Sequence, residues 1–364
     1  MKNLNDLVAG VFRKEVLAMS AYHVADAEGL IKLDAMENPY EWPEDIKTRW
    51  LETLRACPLN RYPDPGARSL AVTIKCLNGL DQSDALLLGN GSDEIIQLLL
   101  MALPQGSSVL SPEPGFVMYR QLSHCLGLNY IGVPLHVENF DLDLPAMLDA
   151  IELHRPKLIF LAYPNNPTGN LFDRAAIDAI VEKAPGLVVI DEAYEPFAGS
   201  SYLDRLGRHP NLLVMRTVSK LGLAGLRLGY LCGSAELLGQ LDKIRLPYNI
   251  NVLTQASAEF ALSHKALFDQ QTRLICAERA RVFAALDAIE GITAYPSAAN
   301  FILFRTPSNH ANEIFAGLKQ RGVLIKNLSP QGGILADCLR VTIGKPDENE
   351  AFLFGLNQSL ISNN

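Results

Sequence analysis

The sequence lacks the features that mark several large classes of protein. Of its 364 residues, 40 are acidic and 32 basic, which gives a net charge of −8. The sequence also contains no basic run that could bind a nucleic acid backbone. The longest apolar stretch, residues 95–103, contains Gln97 and falls far short of the roughly 20 residues that cross a membrane. The first residues do not have the basic-then-apolar layout of a secretion signal. We therefore expect a cytoplasmic protein that binds neither nucleic acid nor membranes and acts on small molecules.

Patterns for metal and disulfide binding are also missing. The six cysteines are scattered without a Cys-x-x-Cys pair, and the seven histidines contain no His-Glu-x-x-His motif. The absence of these patterns predicts reduced thiols and no metal site. No Gly-x-Gly-x-x-Gly follows a strand-like run, which argues against a nicotinamide-dependent dehydrogenase.

The order of apolar runs along the chain predicts an α/β fold with two domains. From about residue 42 to residue 254, strand-like runs alternate with helical patterns, which is typical of a mainly parallel sheet with helices on both faces. From residue 255 the pattern changes to a long helix-like segment that reaches past Arg281 and then to shorter units. We expect an arm at 1–41, a large α/β domain at 42–254 and a small α+β domain at 255–364. The predicted strands are 85–88, 108–110, 158–162, 187–190, 212–215 and 229–233 in the large domain and 300–304 and 339–343 in the small one.

Two charged residues that lie among small and apolar residues suggest a catalytic site. Lys220 and Arg227 lie within the stretch 217–230, which is otherwise rich in Gly, Leu and Ala. A lysine in such surroundings shifts its pKa readily and can form a Schiff base, whereas an arginine suits a phosphate or carboxylate. Asp191 directly follows the apolar run 187–190, where open α/β sheets bind ligands. A lysine, an acid and anion donors are the groups that pyridoxal phosphate requires.

Six short motifs occur in an order that resembles one family. The chain is similar to the fold-type I aminotransferases, and within them to the histidinol-phosphate aminotransferase branch, over nearly its whole length. The resemblance implies a large, mainly parallel sheet of the seven-stranded type sandwiched by helices, a smaller α+β domain, pyridoxal phosphate as cofactor and a homodimer. It also implies that the N-terminal arm packs with the small domain or with the dimer partner. The motifs are Arg61-Tyr-Pro-Asp64, Gly89-Asn-Gly-Ser-Asp-Glu94, Pro164-Asn-Asn-Pro-Thr-Gly169, Asp191-Glu-Ala-Tyr194, Ser219-Lys220 with Arg227, and Leu339-Arg-Val-Thr-Ile-Gly344.

The same resemblance implies roles around the cofactor ring. Lys220 would hold the cofactor and move the substrate proton, and Asp191 would keep the pyridine nitrogen protonated. Tyr194 and Asn166 would donate hydrogen bonds to the cofactor's phenolate oxygen, which favours the ionised form of that oxygen. Phe116 would stack on the ring in a position where many relatives have tyrosine. Taken alone, two of these motifs have a simpler interpretation. Asp191 could be a helix cap, and residues 165–169 could be a turn.

Further residues are expected to bind the cofactor's phosphate. The stretch 91–94 leads directly into an apolar helix, and the backbone N–H groups at a helix start can bind an anion. Asp93 and Glu94 also suit a helix start through the helix dipole, so a simple cap is the competing interpretation. The resemblance implies phosphate contacts from Gly91, Ser92, Asp93, Ser219 and Arg227, and from Tyr62 of the partner subunit.

Three residues are expected to meet the substrate. Arg340, between apolar neighbours, resembles the arginine that binds the substrate carboxylate, for which a planar bidentate donor is suited. Lys326 takes a place where some relatives have an arginine for the substrate phosphate, and lysine can attract phosphate only as a point charge. Tyr22 would also touch the substrate phosphate.

The resemblance implies transamination between L-histidinol phosphate and 2-oxoglutarate, with imidazole acetol phosphate and glutamate as the other pair, in histidine biosynthesis. Two other enzymes on the same scaffold remain open, an aromatic amino-acid aminotransferase and a threonine-phosphate decarboxylase, because both would keep Lys220 and Asp191. A non-catalytic regulatory module that binds pyridoxal phosphate is a more distant alternative, since the N-terminal forty residues offer no convincing DNA-binding segment.

Overall fold

The computed structural model describes residues 3–21, 25–81 and 84–361, and its centre is a seven-stranded sheet. The strands of the molecule are β1 Ile31–Lys32, β2 Ala85–Gly89, β3 Ser108–Glu113, β4 Asn129–Pro134, β5 Leu158–Ala162, β6 Leu187–Asp191, β7 Leu212–Thr217, β8 Gly229–Gly233, β9 Thr293–Ala294, β10 Phe301–Arg305, β11 Val323–Leu324, β12 Lys326–Asn327 and β13 Cys338–Thr342. The large sheet has the order β2-β8-β7-β6-β5-β3-β4. Only β8 runs antiparallel to its neighbours, which confirms the predicted α/β fold with a mainly parallel sheet.

The central strands of this sheet are mainly apolar because both faces are covered by helices. The helices are α1 Leu4–Val11, α2 Lys14–Leu17, α3 Glu44–Arg55, α4 Arg68–Leu77, α5 Ser92–Met101, α6 Val117–Cys125, α7 Leu144–His154, α8 Arg174–Lys183, α9 Glu195–Ala198, α10 Ala235–Asp242, α11 Val252–Ser263, α12 Lys265–Asp287, α13 Ala311–Gln320 and α14 Pro346–Ile361. Val188 and Ile190 of β6 pack in the core on the side of α7 and α8, whereas Val189 packs with α5, α6 and α10. Successive side chains of one strand thus fill two separate cores.

Besides the two-residue strands β1, β9, β11 and β12, which the sequence did not predict, two elements differ from the prediction. Strand β4 was not predicted, because this edge strand has the mixed sequence Asn-Tyr-Ile-Gly-Val-Pro and is only partly buried. The long helix expected from residue 255 is two helices, α11 and α12, which meet at His264. The His264 ring forms a hydrogen bond with the carbonyl of Phe260 (2.8 Å), one of the last carbonyls of α11, and so satisfies it where α11 ends.

A second, four-stranded sheet has the order β12-β13-β10-β9 and is antiparallel throughout. It packs against α12, α13 and α14 in a core of its own. The short strand β1 pairs with β11 beside it, and the amide of Thr342 donates to the carbonyl of Leu33 (2.9 Å). Part of the N-terminal arm therefore lies against the small sheet, while the domain limits at 41/42 and 254/255 stay a prediction.

A buried ion pair lies beneath the ends of β6 and β7. Glu192 has a fully buried side chain, and its Oε2 accepts from Nε of Arg216 at 2.9 Å. Removing Glu192 would leave the buried Arg216 with only the partly exposed Glu195, at 3.3 Å, to offset its charge. We expect Glu192→Ala to lower the free energy of unfolding by about 3–5 kcal/mol, measured by urea denaturation.

Asp269→Ala provides the matched control for this prediction. Asp269 pairs with Lys265 at 2.5 Å, but both side chains are more than a third exposed, so the loss should stay below about 1 kcal/mol. Equal losses in the two variants would show that burial does not set the contribution of the Glu192 pair.

In the part of the chain that the structure covers, none of the helices has both the length and the apolar character that crossing a bilayer requires. The same residues contain no group of three or more His, Cys, Asp or Glu side chains arranged to hold a metal ion.

Candidate active site

The candidate site lies where five strands of the large sheet end. Because β8 is antiparallel to both β2 and β7, strands β2, β3, β5, β6 and β7 all point the same way, and their C-terminal ends share one edge. Ligands of open α/β sheets bind at this edge. Residues 91–93 follow β2, Phe116 follows β3, Asn166 follows β5, and Lys220 follows β7. The fold thus gathers residues from distant parts of the sequence.

A cavity of about 390 Å³ opens at this edge. Nine of the predicted site residues line it: Ser92, Asp93, Phe116, Asn166, Asp191, Tyr194, Ser219, Lys220 and Arg227. The remaining wall residues are Ala35, Met36, Glu37, Ala162, Pro164, Ala193, Thr217, Ala224 and Gly225. The wall combines two cations and an exposed backbone loop with flat, apolar surfaces, a composition that suits a ring bearing an anion.

The loop before α5 has a backbone that requires glycine. Gly91 has φ +84° and ψ 166°, a region that is essentially closed to other residues. A Cβ added to Gly91 would lie 2.7 Å from Nη2 of Arg227, and one added to Gly229 would lie 2.6 Å from the backbone nitrogen of Ser92. The start of α5 is therefore pressed against both the sheet and Arg227. Nη2 of Arg227 also contacts Oδ2 of Asp93 at 3.1 Å, so a cation and a helix start meet at one end of the cavity.

Asp191 ends β6 and is buried. Its Oδ2 accepts from the hydroxyl of Tyr119 at 2.5 Å, and its Oδ1 accepts from the amide of Ala193 at 3.0 Å. Burial raises the pKa of Asp191 to about 6, although both hydrogen bonds act to lower it. A cation beside this carboxylate would stabilise its ionised form.

Lys220 follows β7 in a short 3-10 turn, Ser219–Leu221. Its Nζ donates to the carbonyl of Ala35 (3.3 Å) and lies 5.8 Å from the centre of the Tyr194 ring. Burial, and after it the positive charge of Arg340, lower the pKa of Lys220 to about 8. A useful fraction of the amine is therefore neutral near physiological pH, as a nucleophile or base requires.

Asn166 links the cavity to the small sheet. Its amide nitrogen donates to the hydroxyl of Tyr194 (3.1 Å), and its carbonyl oxygen accepts from Nη1 of Arg340. Nη2 of Arg340 donates to the carbonyl of Asp34 (3.2 Å), and the guanidinium lies 5.1 Å from the centre of the Phe301 ring. Arg340 itself is only 6% exposed and sits behind the cavity wall.

Two other predicted residues, Lys326 and Tyr62, are not among those that line the cavity. Lys326 is directly opposite Arg340 on the neighbouring strand, so the two side chains share one face of the small sheet. Tyr62 is 81% exposed and stacks on Tyr248 with ring centres 4.5 Å apart. Tyr22 lies outside the residues that the structure describes.

Two parts of the site have roles that the sequence did not predict. Tyr119, the partner of Asp191, follows Phe116 by three residues, and this helical spacing was the available signal. The segment 35–37 lines the cavity although it belongs to the N-terminal arm, and the hydrogen bonds of Ala35 and Met36 are with residues more than 180 positions away. No local pattern in the sequence could reveal that placement.

The donor set of the cavity fits pyridoxal phosphate. The glycine-dependent loop and Arg227 suit its phosphate, the buried Asp191 suits a protonated pyridine nitrogen, and Lys220 suits its aldehyde. Asn166 and Tyr194 supply further hydrogen-bonding groups on the cavity wall.

Comparison with known proteins gives a consistent picture. The pattern of the family described as "Aminotransferase class I and II" matches residues 28–354. The chain is 57% identical over 352 residues to histidinol-phosphate aminotransferase 2 of Nitrosococcus oceani, covering 96% of this chain and 98% of that one. It is 51% identical over 360 residues to histidinol-phosphate aminotransferase 2 of Cupriavidus pinatubonensis, covering 97% and 98%.

Among solved structures, the fold is similar to that of the histidinol-phosphate aminotransferase of Sinorhizobium meliloti in complex with pyridoxal-5'-phosphate. The TM-score is 0.86 at 22% identity, and the match covers 97% of this chain and 98% of that chain. The predicted fold class and family are thereby confirmed. The chain belongs to the class I and II aminotransferases, a family whose pattern covers all but the ends of its sequence.

Proposed function

We propose that this enzyme transfers an amino group between L-histidinol phosphate and 2-oxoglutarate, with pyridoxal phosphate as cofactor, as a step of histidine biosynthesis. The observation that supports the proposal is that one cavity brings together Lys220, Asp191 and Asn166, and the side-chain carbonyl of Asn166 accepts from Arg340 behind the cavity wall. The substrate is suggested by relatives of about 50% identity over nearly the whole chain, which bear the name histidinol-phosphate aminotransferase.

The reaction needs a base next to the substrate's α-carbon. When bound, pyridoxal phosphate supplies a sink for the electron pair left on that carbon. Lys220 is the base in this proposal, because the lowered pKa of about 8 lets its Nζ accept and return the α-proton. The carbonyl of Ala35 and the ring of Tyr194 lie where they would hold Nζ at the cavity wall once the amine is free of the cofactor.

Other residues hold the ring and tune its charge. The Asp191 carboxylate would keep the pyridine nitrogen protonated, and Tyr119 and Ala193 fix the orientation of that carboxylate. Tyr194, itself an acceptor from Asn166, would stabilise the phenolate oxygen together with Asn166. Phe116, on the wall, would cover one face of the ring.

Arg340 would bind an anion in each half of the reaction, a carboxylate from glutamate and a phosphate from histidinol phosphate. A guanidinium offers paired donors that suit both anions. Lys326, on the same face, would add a point charge for the phosphate. The role of Tyr22 at that phosphate is likewise part of the proposal.

The proposed active unit is a cytoplasmic homodimer. Tyr62 is exposed and does not line the cavity of its own chain, as expected for a residue that serves the partner's phosphate site. Exposed apolar side chains nearby, including Leu59 (72%) and Leu246 (72%), suit a protein interface. All six cysteines are free thiols, which suits a reducing compartment.

The test is a visible absorption titration of the protein loaded with pyridoxal phosphate. We expect L-histidinol phosphate to remove the visible band of the lysine-bound cofactor at low concentration, and phenylalanine and phosphothreonine to be much weaker. A response to phenylalanine alone, or carbon dioxide release from phosphothreonine, would overturn the substrate assignment. A protein that gains no visible band from pyridoxal phosphate would overturn the cofactor as well.

The loop at Gly91 makes a separate prediction about cofactor affinity. Gly91→Ala forces a side chain into a backbone region that costs about 1–3 kcal/mol and pushes against Arg227. We expect the Kd for pyridoxal phosphate, measured by fluorescence quenching, to rise by about tenfold to a hundredfold. Gly239→Ala in α10 is the control, because a Cβ there meets no atom within 4 Å and its Kd should not change. Equal affinities for both variants would contradict the role given to the loop.

A further inference from the structure

The arm residues Asp34 to Glu37 form one side of the cavity. Arg340 and Lys220 donate to the successive carbonyls of Asp34 (3.2 Å) and Ala35 (3.3 Å). The next residue, Met36, is fixed on both sides: its amide donates to Oγ1 of Thr342 (2.9 Å), and its carbonyl accepts from Nδ2 of Asn300 (3.0 Å). The segment is therefore anchored to the small sheet and placed over the two cations that would meet the substrate.

The backbone of this segment turns sharply just before Glu37. Met36 has φ +53°, in the left-handed region that a methionine rarely adopts. Such strain persists only where surrounding contacts hold it, and it concentrates at functional sites. After the turn Glu37 lies on the cavity wall, and its Oε2 accepts from Nζ of Lys32 at 2.5 Å with half of the side chain exposed. An acid is thus held at the mouth of the cavity.

Among the described residues, three carboxylates line the cavity, and two already have tasks. Asp191 accepts from Tyr119 and Ala193 at the ring end, and Asp93 pairs with Arg227 at the phosphate end. Glu37 follows the residues whose carbonyls accept from Arg340 and Lys220, and its own ion-pair partner, Lys32, lies outside the cavity wall. Amino transfer itself requires no acid at this end of the cavity. A further carboxylate there calls for a donor on the substrate.

We propose that Glu37 determines substrate specificity by accepting an N–H from a nitrogen-containing aromatic ring on the amine substrate. The inference rests on the proposed function, whose substrate carries an imidazole. An imidazole N–H is a strong donor, and its bond to a carboxylate is charge-assisted when the ring is protonated. A carbocyclic ring of similar shape has no such donor and leaves the carboxylate without this partner. Discrimination between the two rings is the property that Glu37 supplies.

The experiment compares two phosphate esters, L-histidinol phosphate and L-phenylalaninol phosphate, on the loaded enzyme. We expect the wild type to have the higher kcat/KM for histidinol phosphate. In Glu37→Ala the ratio of the two kcat/KM values should fall by about tenfold to a hundredfold, chiefly through a higher KM for histidinol phosphate. The cofactor's visible band should be unchanged, which separates loss of ring recognition from loss of the site.

Two further variants separate recognition from support of the loop. Glu41→Ala removes an acid on the same segment that also pairs with a lysine, Lys47 (3.0 Å), but lies outside the cavity wall, and its ratio should equal that of wild type. Lys32→Met breaks the ion pair of Glu37 while keeping the carboxylate, and it should retain most of the discrimination. A full loss of discrimination in Lys32→Met would overturn the inference in favour of loop support.

The outcomes also distinguish this inference from the function beneath it. If wild type prefers histidinol phosphate and Glu37→Ala keeps the same ratio, the role of Glu37 is overturned and the proposed function stands. If wild type turns over neither ester, both are overturned.

Discussion

Lys220→Ala should lower the rate of amino transfer by about 10⁴-fold while the chain remains folded. The reason is that Nζ of Lys220 has a pKa lowered to about 8 and belongs to the one lysine among the described residues that line the cavity. The measurement is a single-turnover reaction with histidinol phosphate on protein loaded with pyridoxal phosphate. Circular dichroism of the same sample checks the fold.

Lys220→Arg tests whether the amine or only its charge matters. Arginine keeps a long cationic side chain but cannot lose its proton in a protein. We expect it to be nearly as slow as Lys220→Ala, whereas Lys243→Ala, an exposed lysine beyond α10, should match wild type. Substantial turnover by either Lys220 variant would rule out this lysine as the base.

Asp191→Ala should slow the same reaction by about 10³-fold and weaken cofactor binding. A buried carboxylate is the group that would keep the ring nitrogen protonated, and burial makes its charge more effective than it would be in water. The rate is measured by single turnover at saturating cofactor, so that weaker binding does not mask the chemical effect. Asp178→Asn, a half-exposed acid on α8, serves as the control.

Removing the hydroxyl that bonds to Asp191 should change how the activity depends on pH. The hydroxyl of Tyr119 lowers the pKa of Asp191, so Tyr119→Phe should raise that pKa. The carboxylate would then take up a proton at a higher pH, and activity should fall more at pH 6 than at pH 8. A profile that falls equally at both values would mean that the hydroxyl does not act through Asp191.

The central sheet could be predicted from the sequence because its strands are buried on both faces and read as short apolar runs. The run Leu187–Ile190 is one example, and the observed strand exceeds it by a single residue, Asp191. Strand β4 lies at the edge and has no such run, so its burial depends on a neighbour that the local sequence does not reveal. The same holds for the helix break at His264.

The residues of the site also fall into those that the sequence could predict and those that it could not. Lys220 and Asp191 could be named as candidates because they lie within recognisable motifs. Tyr119 and Glu37 could not be given roles, because their roles depend on contacts or a cavity wall formed with distant parts of the chain. The hydrogen bond between Tyr119 and Asp191 joins residues that are 72 positions apart in the sequence. Residues so far apart are brought together only by the folding of the sheet.

The double hydrogen bond of Asn166 also bears on how this enzyme could change over evolutionary time. The amide nitrogen of Asn166 donates to Tyr194, which follows β6, and its carbonyl oxygen accepts from Arg340 of β13, so one side chain links the ends of the two sheets. An aspartate would lose the donor, and a leucine would lose both of these bonds. Positions 166, 194 and 340 should therefore vary together among descendants, and a new substrate anion would have to be accommodated by all three at once.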